Sequence, residues 1–496
     1  MRPCALERGG WENRFVAMKF NLFKPKGPKA PKASKTKAGK APAPKTSKQS
    51  LRDAAKPVAP ALAELFAHEP APEPAVRGGP ALPRFKATAA DQVDRQRSDR
   101  FTTLRMNLRA AFTPSQPVVD RRMFAGRNSV LGAMIASIED QKLHLVIYGP
   151  RGIGKTSLVH MLAEAGREAR YIVHYSSCGA ASNFQETFRG AAAEIPLLFH
   201  SAYGPTTEEA EAGSTFADLL PKGAFSPRQF GDLCAKLTGT RVLVVLDEFD
   251  RAESPDFRRE LAELIKILSD RSVRVQLVIA GVAADIAELV EHIPSIRRNV
   301  LAVRVPLMDE EETREMIGMG ERASGLTFDP PARDFLVRIA CGWPYIASLI
   351  CHHAGLAAIE ASRTTVVAGD VSAALEGSLH ELAGRIAKPT LLRVETLKDE
   401  GMSKLLTILA GAALRAGGEF ELADIDAIAG KSVDAAGAKR LVAQLASDPM
   451  LVRQQEEGFG VIYNFVEDGL PAYLWFQGAQ DEFHASLKGT ARASNG

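Results

Sequence analysis

Two short clusters in this chain carry residue types that handle a triphosphate. The first is Gly149-Pro150-Arg151-Gly152-Ile153-Gly154-Lys155-Thr156, a G-x-x-x-x-G-K-[ST] pattern followed by Ser157. Backbone N–H groups of such a loop curl around phosphate oxygens, and the helix that follows adds the positive end of its dipole. Lys155 can reach the outer phosphates, and Thr156 can offer a hydroxyl to Mg²⁺. The second cluster is Asp247-Glu248. Asp247 suits the Mg²⁺ shell, and Glu248 is placed to orient and polarise an attacking water.

These residues need elements that bring them together. The apolar run Leu143 to Tyr148 before the loop predicts a strand, and Ser157 to Ala165 after it predicts a helix. The second cluster closes the run Val242-Leu243-Val244-Val245-Leu246. Five unbroken apolar residues are what a central parallel strand, buried on both faces, requires. The acids then emerge at its carboxyl end, where open α/β sheets bind ligands. Further strands are expected at Arg170–Tyr175, Val273–Ala280 and Leu301–Val305. Helices are expected at Arg100–Phe112, Asn183–Leu198, Arg228–Leu237 and Pro255–Asp270, with His200–Ser226 as a surface loop. Five strands with intervening helices predict an α/β fold, a parallel sheet covered on both faces.

Three further features carry a family resemblance. Phe124-Ala125-Gly126-Arg127, one short helix before the phosphate loop, is similar to the entry box of initiator-type (origin-recognition-like) AAA+ ATPases and of STAND ATPases. Asp247-Glu248 resembles the acid pair of the ASCE division of P-loop NTPases. Gly342-Trp343-Pro344, within the helical stretch that starts at Asp309, resembles the G-x-P of STAND lids. The resemblance implies a sheet ordered 5-1-4-3-2, ATP and Mg²⁺ as cofactors, and water attack on the γ phosphate. It also implies that Arg127 lines the base site and that Pro344 meets the base. In AAA+ relatives an arginine before the last core strand can act as a finger into a neighbouring subunit. Arg297 or Arg298 holds that place here, and a homo-oligomer would follow; an exposed pair ending a helix is the alternative. One departure stands out. The fourth strand ends Ile279-Ala280-Gly281-Val282, without the polar sensor of the relatives, and Asp285 is the nearest polar group. Slow hydrolysis is the consequence.

The C-terminal part reads as three helices, Ser403–Leu414, Leu422–Ala429 and Val433–Ala446. Two extended runs follow, Met450–Arg453 and Val461–Phe465, joined through Glu456-Glu457-Gly458-Phe459-Gly460. This is the outline of a winged helix. Its third helix offers only Lys439 and Arg440 and its wing carries two glutamates, whereas phosphate contacts demand a basic surface. A protein partner or an autoinhibitory role therefore stands beside DNA binding.

Composition bounds the rest. The 496 residues are too many for one core, and 46% hydrophobic content is ordinary for globular protein. Residues 1–57 hold 11 Lys and 4 Arg against 3 acids, a net +12, so a chain totalling +3 carries −9 beyond them. The Lys/Pro/Ala-rich segment 19–57 lacks the apolar residues to fold and is suited to nucleic acid or an anionic surface. Five scattered cysteines without a C-x-x-C argue against a disulfide framework or zinc site, and Cys351-His352-His353 cannot converge on one ion from consecutive helical positions. No run of 18 apolar residues and no signal peptide is seen, so no integral membrane segment is expected and a cytoplasmic setting is.

The expected organisation is a disordered basic tail and linker (1–95), a P-loop ATPase core (96–308), a helical lid (309–390), a winged-helix domain (391–482) and a disordered end (483–496). The function expected is an ATPase whose nucleotide state controls contact with DNA or a protein. The alternatives are a slow STAND-like signalling switch or a non-hydrolysing nucleotide-gated scaffold with no DNA role.

Overall fold

The computed structural model describes residues 100–204, 207–208, 212–281, 298–429, 435–447, 452–457 and 460–493. All fall within one unit, Lys86–Gly496. The tail expected over 1–95 lies outside the described residues, as do Asp285, Arg297, Gly458, Phe459 and the last three residues.

Five parallel strands form the central sheet: β1 (His144–Tyr148), β2 (Ile172–Ser177), β3 (Val242–Asp247), β4 (Val275–Gly281) and β5 (Val300–Arg304). Their order is β2-β3-β4-β1-β5, which read from the other edge is the 5-1-4-3-2 that the resemblance implies. β3 and β4 are buried at every residue because each has a strand on both sides and helices on both faces. Alternation along the strands feeds two cores. Leu145, Ile147, Leu243 and Val245 point into one, and Val146, Val244 and Leu246 into the other.

The second core is built largely from phenylalanine: Phe184 and Phe188 of α4 (Phe184–Ala193), Phe230 of α5 (Pro227–Cys234) and Phe257 of α6 (Pro255–Asp270). It also takes Phe216 and Phe225, which are 1% and 3% exposed. The segment expected as a surface loop over 200–226 thus supplies part of this core. Its apolar residues follow no helical or strand period, so their burial depends on the tertiary fit beneath α4.

The first core runs on without a break from the sheet into the later helices. α2 (Asn128–Glu139) and α3 (Lys155–Glu168) pack on the sheet, and α1 (Arg100–Ala111) packs against the helical layer. The helical layer follows: α7 (Glu310–Ser324), α8 (Pro330–Ala340), α9 (Pro344–Glu360), α10 (Ala368–Ala383) and α11 (Lys388–Asp399). Two-residue strands β6 (Thr327–Phe328) and β7 (Thr365–Val366) pair within it. No helix is expected from the sequence over 368–399, where the structure has two. α11 also runs through the position expected to separate the lid from the last domain.

Beyond it come α12 (Ser403–Arg415), β8 (Glu419–Phe420), α13 (Leu422–Ala429), α14 (Ala435–Ser447), β9 (Val452–Glu457) and β10 (Gly460–Phe465). The three strands form a sheet in the order β8-β10-β9. α15 (Leu470–Ala493) closes the chain. It continues through most of 483–496, where a disordered end is expected. Phe483 explains the extension, since its ring stacks on Phe335 of α8 with centroids 5.3 Å apart. Among the described residues no helix is long and apolar enough to cross a membrane.

Candidate functional site

β1 delivers the chain at Tyr148 to the phosphate loop, and α3 starts at Lys155. Gly154 is the cap, with φ of 91°. A Cβ there would sit 2.8 Å from Nη1 of Arg127, so the position needs glycine both for its backbone conformation and for space. The Lys155 ammonium donates to the carbonyls of Gly149 at 2.7 Å and Pro150 at 2.9 Å. Burial pushes its pKa down to about 8, against the opposing pull of the carboxylates Asp250 and Asp247.

The parallel register places Ser177 at the end of β2 opposite Asp247 at the end of β3. Asp247 is 3% exposed. Its Oδ2 accepts the Tyr175 hydroxyl at 2.5 Å, and its Oδ1 accepts the Glu248 N–H at 2.8 Å. Glu248 has φ of 52°, a left-handed conformation unusual for a residue with a side chain. Its Oε2 accepts the Ser177 hydroxyl at 3.1 Å and pairs with Arg251 Nη1 at 2.8 Å.

A cavity of about 600 Å³ brings these groups together. Its lining includes Gly152, Gly154, Lys155, Thr156 and Ser157 of the loop, the acids Asp247, Glu248 and Asp250, and the segment Thr113–Val118 with Met123, Met316, Pro344 and Tyr345. Ser157 ties the loop to that segment, since its Oγ accepts the Val118 N–H at 3.0 Å. Pro344 is the first residue of α9 and stands beside Gly154.

Arg127 takes a different place from the one expected. Its side chain does not line the cavity. The guanidinium is buried under the phosphate loop and donates to the carbonyls of Ile153 at 2.5 Å and Pro306 at 3.0 Å. The backbone N–H of Arg127 donates to Glu312 Oε1 at 2.8 Å. The other oxygen of Glu312 accepts the Asp309 N–H and closes the capping box that starts α7. Burial lowers the Arg127 pKa to about 10, with Glu312 opposing. The residue braces the loop against the helical layer. The Arg127 backbone is left-handed, with φ of 57°, and its burial is not readable from sequence position alone.

Arg298 is exposed just before β5 and does not line the cavity, and Arg297 lies outside the described residues. The missing polar sensor has a spatial counterpart. A Cβ at Gly281, where β4 ends, would meet Asp250 Oδ1 at 3.0 Å, so Asp250 occupies that space. The one amide of β4, Gln276, sits near the opposite end and donates to the Val273 carbonyl. The Cys351-His352-His353 run diverges, as helical geometry requires: His352 bonds the Phe112 carbonyl, while His353 faces Glu381. Among the described residues no group of three or more His, Cys, Asp or Glu could hold a metal ion. That is compatible with Mg²⁺, which takes one or two protein oxygens and keeps waters or phosphate oxygens for the rest.

Four residues of the site were not anticipated. Tyr175 and Ser177 reach it through the β2–β3 register, which no local pattern encodes. Asp250 and Arg251 follow the acid pair directly as Asp-Glu-Phe-Asp-Arg, and a tight turn after β3 folds them back. That spacing was the available signal.

Residues 110–350 match the model of the family Novel STAND NTPase 1. A comparison with curated proteins finds no match. Among solved structures, Cdc6p from Pyrobaculum aerophilum is similar with 15% identity and a TM-score of 0.39, covering 75% of this chain and 98% of that one. The ORC1 protein of Aeropyrum pernix in complex with DNA gives 16% and 0.39, covering 76% and 98%. The Walker-type ATPase PABY2304 of Pyrococcus abyssi gives 16% and 0.42, covering 73% and 99%. The match over residues 110–350 makes this region similar to the STAND NTPases, and the phosphate loop after β1 in a sheet ordered 5-1-4-3-2 gives it the P-loop NTPase fold.

Proposed function

We propose that this chain binds ATP with Mg²⁺ in the cavity above the phosphate loop and hydrolyses it slowly, its nucleotide state controlling what the C-terminal region contacts. The observation that carries the proposal is the convergence of Lys155, Thr156, Asp247 and Glu248 on one cavity. Lys155 and the loop N–H groups, Gly149 to Ser157, would hold the phosphates. Thr156 and Asp247 are the hard oxygen donors for Mg²⁺, which when bound neutralises charge developing on the phosphates. Glu248 would orient the attacking water. To do so it must leave Arg251 and Ser177, and this restraint, with no polar side chain at the end of β4, supports a slow rate. Pro344 and Tyr345 are the residues of the helical layer that would close on the nucleotide.

The switch reading is supported by direct contacts from this region to the C-terminal elements. The Trp343 indole donates to the Leu414 carbonyl at 2.7 Å, and Arg151 of the loop lies 3.9 Å from Asp468. We read α12, α13 and α14 with the three-stranded sheet as a winged helix that meets a protein or DNA. Nucleic-acid contact through the Lys-rich residues 19–57, an Arg297 or Arg298 finger in a homo-oligomer, and a cytoplasmic setting remain part of the proposal.

The test is a pair of variants. Lys155→Ala should lose ATP binding, and Glu248→Gln should bind ATP and stall; hydrolysis at the wild-type rate by Glu248→Gln would remove Glu248 from its role. Pull-down with the stalled variant, with and without nuclease, identifies DNA or protein as the partner. A second reading, a nucleotide-gated scaffold without hydrolysis or DNA, is favoured by the Glu248–Arg251 pair alone. It predicts no phosphate release from the wild type.

A further inference from the structure

Asp247 is held by a hydroxyl that neither phosphate-site motif contains. Tyr175 donates to Oδ2 at 2.5 Å while the backbone N–H of Glu248 fixes Oδ1 at 2.8 Å. The Tyr175 ring lies flat on His160, with centroids 4.6 Å apart and planes 9° from parallel. His160 stands one helical turn after Thr156 on the same side of α3. The two Mg²⁺ donors of the proposed site are therefore joined by one packed chain: Thr156 and His160 on α3, Tyr175 on β2, Asp247 on β3.

We infer that Tyr175 is the positioning residue for Mg²⁺ at this site, with His160 as the brace that sets its ring; the inference rests on the Mg·ATP reading above. A carboxylate oxygen has two lone-pair directions. With one on each oxygen taken by a fixed donor, the carboxylate plane is set, and each oxygen keeps a second direction for a metal or its water. The hydroxyl bond to an ionised acceptor is of the short, strong kind. It also compensates a carboxylate that β3 carries into a nearly closed position, 3% exposed. Tyr175 itself cannot drift, because β2 is paired with β3 along its whole length and His160 covers the ring. Partners that orient a metal ligand in this way typically cost 10- to 100-fold in metal affinity when removed.

Tyr175→Phe separates this role from packing, since it keeps the ring and its stack and removes only the hydroxyl. The full chain is mixed with a fluorescent ATP analogue, first in EDTA and then with rising Mg²⁺, and the bound signal is followed. The expected result is unchanged affinity in EDTA, an unchanged melting temperature to within a few degrees, and half-saturating Mg²⁺ raised about 10- to 100-fold. His160→Phe, which keeps a flat ring, should remain near wild type, and His160→Ala should fall between. Wild-type Mg²⁺ dependence in Tyr175→Phe overturns the inference. Should Asp247→Asn and Thr156→Ala also leave the Mg²⁺ titration unchanged, the Mg·ATP reading itself fails, and that outcome is distinguishable from failure of Tyr175 alone.

Discussion

Arg127 donates to the carbonyl of Ile153 from beneath the phosphate loop at 2.5 Å, and its second terminal nitrogen reaches the Pro306 carbonyl at 3.0 Å. One buried guanidinium thus ties the nucleotide loop to the strand end that leads into the helical layer. Hydrogen bonds from a charged donor contribute about 1.5–3 kcal/mol each, and a lone replacement leaves the carbonyls without partners. Arg127→Met should lower stability by about 2–4 kcal/mol and weaken nucleotide binding at least tenfold. The preference for ATP over GTP should stay the same, because the side chain does not line the cavity. Denaturant unfolding and competitive nucleotide binding check both parts. A changed base preference with unchanged stability would restore the base-lining role.

Lys155 makes nucleotide binding pH-dependent in a stated direction. Its pKa is lowered to about 8, so the free site is half-neutral near that pH. A triphosphate takes the charged amine. Below about pH 7 the amine is already protonated and affinity is flat with respect to this group. Above pH 8 binding must take up a proton, and affinity should fall about tenfold per pH unit. Lys155→Arg keeps its charge throughout this range and should bind with little slope. Equilibrium binding of a fluorescent nucleotide between pH 6.5 and 9.5 reads the difference; parallel curves for the two proteins would refute the assignment.

Gly320 of α7 is a close-approach point. A Cβ there would run into Cζ of Phe112, a ring 1% exposed. Phe112 leads directly into the Thr113–Val118 wall of the cavity. Gly320→Ala would gain about 1 kcal/mol of helix propensity but overpack a filled core, at a cost of about 1–3 kcal/mol or more. The close contact makes the second effect the larger, so the melting temperature should drop and nucleotide affinity with it. Adding Phe112→Leu should recover part of both losses. A double-mutant cycle with no coupling would show that the two residues do not meet.

How much of this was legible in the sequence follows from how local each feature is. The phosphate loop and Asp247-Glu248 were readable because apolar strands run straight into them, and the five strands were found for the same reason. Tyr175 and Ser177 were not, because they reach the acids only through the register of β2 on β3. α10 was missed because its buried face uses small residues, Ala374, Ser372 and Ser378 beside Val371, Leu375 and Leu382, which give little apolar contrast. Arg127 was found as a residue and misplaced as a role, since a motif does not tell which way a guanidinium turns.

The Glu248–Arg251 pair gives the last prediction. Both side chains are about half exposed, at 46% and 58%, so solvent screens the pair and its contribution is only about 0.2–1 kcal/mol. If Glu248 must leave Arg251 to orient water, removing the arginine lowers the barrier by no more than that amount. Arg251→Ala should therefore raise the single-turnover hydrolysis rate by about 1.4- to 5-fold without changing ATP affinity. The gain should shrink as salt rises, because the wild-type pair is itself weakened. Ser177→Ala in the same protein should add a further small increase, as the second partner on Oε2 is lost. A fall in rate on Arg251→Ala would mean the opposite, that the arginine holds Glu248 in its working position.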